Sequence, residues 1–122
     1  MARVLLVDDD ELLRDLLALR LEVEGHEIIT ADDGAAALAT LRGMRCDLVV
    51  LDIMMPVMDG WQFCTWLAEQ PRPLRDTPVV LLSASPRLGK AAAELHVCGQ
   101  LPKPVSVDRL LGTIEQLCPQ RG

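Results

Sequence analysis

Five short apolar segments alternate along the chain with stretches whose apolar residues recur at helical spacing. Each apolar segment is typical of a strand buried on both faces, whereas the stretches between them have the period of a surface helix. The predicted strands are Arg3–Val7, His26–Ala31, Asp47–Leu51, Pro78–Leu82 and Val97–Leu101. The predicted helices are Glu11–Glu24, Gly34–Arg42, Trp61–Glu69, Leu88–Leu95 and a last helix from Ser106, its N-cap, to Leu117. This alternation predicts an α/β fold, with a parallel sheet covered by helices on both faces.

The first predicted helix is rich in leucine, and its spacing defines an apolar face. Four residues fall on one stripe, which Leu13 and Leu17 widen: Leu12, Leu16, Leu19 and Val23. Such a stripe is typical of the buried side of an amphipathic helix. Asp10 is the expected N-cap, and Gly25 stands where a glycine ends a helix.

Composition and charge argue against several classes of protein. With 12 basic and 18 acidic residues the net charge is −6, and a nonspecific nucleic-acid binder needs a basic surface. No apolar run reaches the roughly 20 residues of a membrane span, and the first apolar segment is too short for a signal peptide. We therefore expect a cytoplasmic, single-domain protein that contacts neither nucleic acid nor membrane.

The cysteines and histidines do not form a recognisable site. Cys46, Cys64, Cys98 and Cys118 lack the paired spacing of a zinc site or a disulfide framework. We expect them to be reduced and to act as small apolar residues. His26 and His96 are isolated in the sequence, and we expect both at the surface.

Polar side chains follow four of the predicted strands. They are Asp8, Asp9 and Asp10 after the first strand, Asp52 after the third, Ser83 after the fourth and Lys103 after the fifth. Because ligands of open parallel sheets bind beyond the carboxyl ends of the strands, we expect these side chains to converge. Crowded carboxylates repel one another, and Mg²⁺, which takes carboxylate, water and phosphate oxygens, relieves that repulsion.

The same residues indicate phosphoryl chemistry. The Ser83 hydroxyl can donate a hydrogen bond to a phosphoryl group, and the Lys103 ammonium can offset its charge. No histidine or cysteine stands near as a nucleophile, so Asp52 is the expected acceptor, as an aspartyl phosphate.

Four strings of residues occupy these strand ends. They are Val7-Asp8-Asp9-Asp10, Asp47 to Pro56 with Met58-Asp59-Gly60, Leu82-Ser83-Ala84, and Lys103-Pro104. Together, in this order and over essentially the whole chain, they resemble the receiver domain of two-component response regulators. The resemblance implies a flavodoxin-like (βα)5 fold with strand order 2-1-3-4-5. It also implies a receiver domain over residues 1–118, with 119–122 as a tail or the start of a linker.

The resemblance implies a role for each matched residue. Asp52 matches the phosphoacceptor, and the Ser83 hydroxyl, the Ala84 N–H and Lys103 match the groups that contact the phosphoryl group. The implied Mg²⁺ ligands, with Mn²⁺ as an alternative ion, are Asp8, Asp9, Asp52 and the backbone carbonyl of Met54.

The resemblance also implies partners. The phosphoryl donor would be a sensor histidine kinase or a phosphotransfer protein, and the signal would pass to a downstream protein or a fused output domain. We expect a phospho-accepting signalling domain rather than an enzyme, as a monomer or weak homodimer. Since the sequence stops after the last predicted helix, no output domain is expected within it.

One departure from the family keeps a second interpretation open. Gln100 stands where the family usually has Tyr or Phe, three residues before the lysine. The alternative is a degenerate receiver that serves as a protein-docking module with altered switching. A small Mg²⁺-dependent phosphatase is disfavoured because Met54 occupies the position of its usual general acid.

Overall fold

The computed structural model describes residues 2–52, 60–83 and 99–118. Its strands are β1 (Arg3–Val7), β2 (Glu27–Ala31), β3 (Leu48–Asp52), β4 (Val79–Ser83) and β5 (Gly99–Pro102). Its helices are α1 (Glu11–Val23), α2 (Gly34–Gly43), α3 (Gly60–Ala68), a 3₁₀ turn (Leu74–Asp76) and α4 (Val107–Leu117). The strands form one parallel sheet in the order β2-β1-β3-β4-β5. The predicted fold class and strand order are therefore confirmed.

Alternate side chains of each central strand enter two separate apolar layers, as the two-residue period of a strand requires. One layer joins the sheet to α2 and α3 and includes Leu5, Val7, Val49, Leu51, Leu81, Leu38 and Phe63. The other joins it to α1 and α4 and includes Val4, Leu6, Val50, Val80, Leu17, Leu110 and Ile114. The sheet is thus covered on both faces, which explains the unbroken apolar runs Val4–Val7, Leu48–Leu51 and Val79–Leu82 in its central strands.

Three helices begin with a side-chain cap, and the predicted caps Asp10 and Ser106 are confirmed. The Asp10 carboxylate accepts from the Leu13 N–H at 3.2 Å, and Asp33 caps α2 through the Ala36 N–H at 2.8 Å. Ser106 caps α4 in the same way. Gly25 follows α1 with φ at +97°, a left-handed conformation that favours glycine. No helix in the described part of the chain is long and apolar enough to cross a membrane.

The predicted inner face of α1 is wrong. Leu12, Leu16, Leu19 and Val23 are between 54% and 74% exposed. Of the predicted face only Leu17 is buried and Leu13 half-buried, and the helix otherwise buries Arg14, Ala18 and Leu21. Ala18 packs in the apolar layer against the sheet, and Arg14 has polar partners at the carboxyl edge of the sheet.

His26 is also misplaced by the sequence interpretation. Its ring is buried, and Nδ1 accepts a hydrogen bond from the Ala2 N–H at 3.2 Å, so it joins the start of β1 to the start of β2. Cys46 and Cys64 are buried free thiols, as predicted, while Cys118 is partly exposed. His96, Cys98 and the predicted helix Leu88–Leu95 lie outside the described residues.

Several strand boundaries differ from the predictions by one residue. The structure begins β3 and β4 one residue later than predicted, so Asp52 and Ser83 are the last residues of their strands rather than the first of loops. This difference matters for the site, because a residue paired within a sheet is positioned more rigidly than one in a loop.

Candidate functional site

Three carboxylates meet at the carboxyl edge of the sheet. Asp8 follows β1 and Asp52 ends β3, and these two strands are direct neighbours in the sheet. One oxygen each of Asp8, Asp9 and Asp52 lies within 4.8 Å of the others. Asp8 and Asp52 are buried, whereas Asp9 is exposed. The site thus has two buried carboxylates and a third that faces solvent.

Lys103 brings a positive charge into the cluster from beyond β5. Its Nζ lies 2.6 Å from Asp52 Oδ2 and 3.4 Å from Asp8 Oδ2. Burial lowers the pKa of Lys103. The hydrogen bond and charge of Asp52, together with the charge of Asp8, raise this pKa by more than burial lowers it, so the pKa of Lys103 lies above its ordinary value. Lys103 is therefore a fixed cation at neutral pH, with its charge directed at the Asp52 carboxylate.

Asp8 is held by main-chain groups and by a residue that the sequence interpretation missed. The Asp10 N–H donates to Asp8 Oδ1 at 2.9 Å. Arg14 Nη1 donates to the Asp8 carbonyl oxygen at 3.3 Å, and the same nitrogen lies 2.5 Å from Asp32 Oδ1. Arg14 therefore ties the β1 edge to the start of α2. An arginine within a leucine-rich helix was the available signal, and the helical pattern alone gave no reason to bury it.

The residues present fit a divalent cation. Asp8 Oδ2 is buried and lies 3.4 Å from the Lys103 ammonium, but it accepts no hydrogen bond from any residue in the described ranges, so it can still coordinate a cation. Two or three carboxylate oxygens with water completing the shell are a donor set that suits Mg²⁺. The net charge of three carboxylates and one ammonium is −2, so a divalent ion would bring the cluster to neutrality.

The other predicted site residues are described only in part. Ser83 ends β4 one residue after Leu82, the register partner of Asp52, so its backbone lies at the same edge. Gln100 is exposed in β5 and pairs with Leu81. Met54 and Ala84 lie outside the described residues.

Comparison with known proteins places this geometry in a family. The sequence profile of the response regulator receiver domain matches residues 4–115. The chain belongs to the response regulator receiver domain family. The resemblance seen in the sequence is thereby confirmed. Receiver domains are signalling domains of two-component systems, and phosphorylation and Mg²⁺ binding at the acidic pocket are general in the family.

Curated relatives share the domain within longer proteins. The chain is 39% identical over 121 residues to the transcriptional regulatory protein GlrR of Escherichia coli, covering 98% of the chain and 27% of that protein. It is 35% identical over 117 residues to the response regulator MprA of Mycobacterium sp. strain KMS, covering 94% of the chain and 50% of that protein. This receiver domain thus spans between about a quarter and a half of the curated relatives it matches.

Solved receiver structures superpose closely on the chain. The chemotaxis response regulator CheY4 of Vibrio cholerae is 34% identical, with a TM-score of 0.87 over 96% of this chain and 98% of that one. The response regulator TrrA of Thermotoga maritima, solved in complex with Mg²⁺ and BeF, is 31% identical, with a TM-score of 0.85. That match covers 96% of this chain and 99% of TrrA.

Proposed function

We propose that this receiver domain accepts a phosphoryl group on Asp52 from a phosphohistidine of a sensor kinase or phosphotransfer protein, and that it acts as a conformational switch. The main support is the position of Asp52: its carboxylate is 2.6 Å from the Lys103 ammonium and shares a cluster with Asp8 and Asp9. The proposal assigns the receiver domain to residues 1–118, followed by a tail or linker, in a cytoplasmic protein.

The transfer is an in-line displacement at phosphorus. A carboxylate oxygen of Asp52 forms the new P–O bond as the P–N bond of the phosphohistidine breaks, and the electron pair of that bond returns to the imidazole nitrogen. Lys103 sits where it can offset the negative charge of the phosphoryl oxygens. The Ser83 hydroxyl and the Ala84 N–H would hold the same oxygens.

Mg²⁺, when bound, supplies positive charge to the oxygens around the transferred phosphorus. Asp8 and Asp9 would hold it together with Asp52 and the carbonyl of Met54; Mn²⁺ could replace it. The buried Asp8 Oδ2, which accepts no hydrogen bond in the described part of the chain, supports this assignment.

Intact-mass measurement after incubation with Mg²⁺ and acetyl phosphate tests the proposal. Wild type should gain the mass of one phosphoryl group, and Asp52→Asn should gain none. Asp33→Asn is a matched control, because Asp33 lies at the same sheet edge after β2 and caps α2 in a way that asparagine can replace. A mass gain in Asp52→Asn, or a gain that persists in EDTA, would contradict the proposal.

A docking module without phosphoryl chemistry remains the second candidate, because Gln100 is an exposed amide on β5 where the family usually has an aromatic ring. If wild type gains no mass while Mg²⁺ still raises its thermal stability, the pocket binds metal without accepting phosphate. That result would favour the docking module. A mass gain instead turns attention to how Gln100 affects the switch.

A further inference from the structure

A cavity of about 440 Å³ lies at the end of the sheet opposite the acidic cluster. Its walls come from the end of α2, the segment that leads into β3, and the segment that joins α3 to β4. Because these segments precede the first residues of β3 and β4, the cavity stands at the amino edge of the sheet. The length of β3 separates it from Asp52 by roughly 15–20 Å. Its volume falls within the range of about 300–1,000 Å³ that is typical of small-molecule sites.

The inner walls of the cavity are apolar. Leu41 and Cys46 line it and are buried, and Leu74 lines it and is half-buried. Pro71 and Pro73 line it from the segment after α3. A ligand with an apolar body would therefore remove apolar surface from water when it binds, which favours binding.

The outer part of the cavity carries positive charge. Arg42 and Arg45 line it, and no acidic residue of the described ranges does so. Both arginines are exposed, and neither forms an ion pair with a carboxylate in those ranges. Two guanidinium groups beside apolar walls are suited to an anion that has an apolar body.

Arg42 is positioned by an aromatic side chain. Its guanidinium carbon lies 5.4 Å from the centroid of the Trp66 ring, which is a cation–π contact. Such a contact uses a face of the guanidinium and leaves the N–H groups in its plane able to donate to a carboxylate. The positive charge is therefore partly ordered before any ligand arrives, which lowers the entropy cost of binding.

Nearby negative groups do not cancel the charge of the two arginines. The ends of α2 and α3 contribute about −0.5 elementary charge each, which is half of what the arginines supply. Gln70 Nε2 also donates to the Trp66 carbonyl oxygen at 3.1 Å, so one carbonyl near the end of α3 is already satisfied. The segment 69–77 has two acidic and two basic residues and adds no net charge. The cavity is thus a positive region in a chain whose net charge is −6.

We propose that this cavity binds a small organic carboxylate. The apolar body of the ligand covers Leu41, Cys46 and Leu74, and its carboxylate pairs with Arg42 or Arg45. At the affinity per atom that is usual for ligands of this size, the dissociation constant is on the order of 0.1–1 mM. The proposal goes beyond phosphoryl transfer and does not depend on it, because the cavity and the acidic cluster share no residue.

Titration of the ¹⁵N-labelled protein with 2-naphthoate, up to about 5 mM, tests the site without any phosphoryl donor. The amide signals of Gly43, Cys46 and Thr77, which line the cavity, should shift and saturate. The neutral alcohol 2-naphthalenemethanol has the same rings and should bind at least several-fold more weakly, because it cannot pair with an arginine. Inorganic phosphate at the same concentrations should shift these signals little, because it leaves the apolar walls uncovered.

A pair of double variants isolates the charge of the site. Arg42→Gln combined with Arg45→Gln should weaken 2-naphthoate binding about tenfold. Arg20→Gln combined with Arg109→Gln is the matched control, because it removes the same charge from exposed positions of α1 and α4 and should bind like wild type.

A second pair of variants isolates the space. Gly43 lines the cavity, and a Cβ added there meets no atom within 4 Å, so Gly43→Leu should fold and fill part of the site. It should weaken binding at least threefold. Gly112→Leu is the matched control, because Gly112 is a helical glycine of α4 with equally open space and does not line the cavity.

Four results would overturn the proposal. The absence of saturable shifts at the cavity would remove the site, and equal binding of the neutral alcohol would remove the role of the carboxylate. Equal affinity in the two double-arginine variants would show that the cavity charge does not select the ligand. Equal affinity in Gly43→Leu and Gly112→Leu would place the ligand outside the cavity.

Discussion

Replacing Asp8 with asparagine is expected to stabilise the metal-free protein. Asp8 is fully buried, and holding a carboxylate in such a place costs several kcal/mol unless neighbouring charges offset it. Asparagine has nearly the same shape, and its oxygen can still accept the hydrogen bond that the Asp10 N–H donates to Asp8 Oδ1 at 2.9 Å. Lys103 would keep its 2.6 Å contact with Asp52, so the change leaves no buried ammonium without a counter-charge.

The charges of Lys103, Asp52 and Asp9 nearly cancel at Asp8, and the nearby charge of Arg14 is offset by Asp32 at 2.5 Å. At an effective dielectric constant of about 20, like charges no more than 4.8 Å apart repel by at least about 3 kcal/mol, and the ion pair with Lys103 at 3.4 Å contributes about 5 kcal/mol of attraction. Asp52 repels Asp8 fully, while solvent screens the repulsion from the exposed Asp9. With the charge terms close to zero, the desolvation cost remains. Asp8→Asn should therefore raise the free energy of unfolding by about 1–3 kcal/mol, or the Tm by about 4–12 °C.

Thermal unfolding in EDTA tests the cost of the buried Asp8 charge, and thermal unfolding in excess Mg²⁺ tests whether Asp8 helps to bind the metal. Mg²⁺ at ten times its dissociation constant should stabilise wild type by about 1.4 kcal/mol and Asp8→Asn by much less. Glu115→Gln, an exposed carboxylate-to-amide change on α4, should match wild type in both buffers. If Asp8→Asn is less stable than wild type in EDTA, the electrostatic reasoning is wrong. If Mg²⁺ stabilises both equally, Asp8 is not part of the metal site.

Three further changes test the packing around the site. Arg14→Met should lower the free energy of unfolding by about 1–3 kcal/mol, because it leaves the Asp8 carbonyl without its buried donor. Arg20→Met, the same change at an exposed position of α1, should alter it by less than about 0.5 kcal/mol. Urea unfolding at low protein concentration measures both. Phe63→Ala should cost about 3–5 kcal/mol, because the ring is fully buried between α3 and the sheet; a smaller loss in the same assay would mean that the layer collapses around it. Burial raises the pKa of the Cys64 thiol from 9.0 to about 11. As the pH rises, this thiol therefore ionises first in the unfolded chain. The free energy of unfolding should fall by about 3 kcal/mol as the pH rises from the lower of these two pKa values to the higher. Urea unfolding at several pH values in that range should show a smaller fall of the unfolding free energy with pH for Cys64→Ala than for wild type. An equal fall in both proteins would contradict the assignment.

The architecture was largely readable from the sequence because each strand combines two independent signals. Each central strand contains an unbroken run of four apolar residues, since both faces of the sheet are covered, and an aspartate stands at the carboxyl edge of β1 and of β3, with a lysine just beyond β5. Asp8, Asp52 and Lys103 were found in this way, from strand ends and the alternation of the elements. The convergence of their side chains follows from topology, because parallel strands end at the same edge.

The contacts within the site could not be predicted from the sequence. Nothing in the sequence indicates that Lys103 lies 2.6 Å from Asp52 yet 3.4 Å from Asp8, since these distances depend on the path of the chain after β5. His26 was expected at the surface because an isolated histidine beside a glycine has no local partner. Its actual partner is the Ala2 N–H, which only the pairing of β1 with β2 brings near.

The two sides of α1 show why apolar periodicity fails as a guide to burial in a leucine-rich helix. Leucines occupy both sides, so the pattern identifies an amphipathic helix without deciding which side faces inward. Tertiary contacts decide which side is buried: Ala18 packs in the apolar layer against the sheet, and Arg14 donates to the carbonyl oxygen of Asp8. The domain core therefore accounts for Leu17 and Leu21 but not for four large apolar side chains left in water. Because those four side chains make no contribution to the core, apolar spacing alone cannot identify the buried side of such a helix.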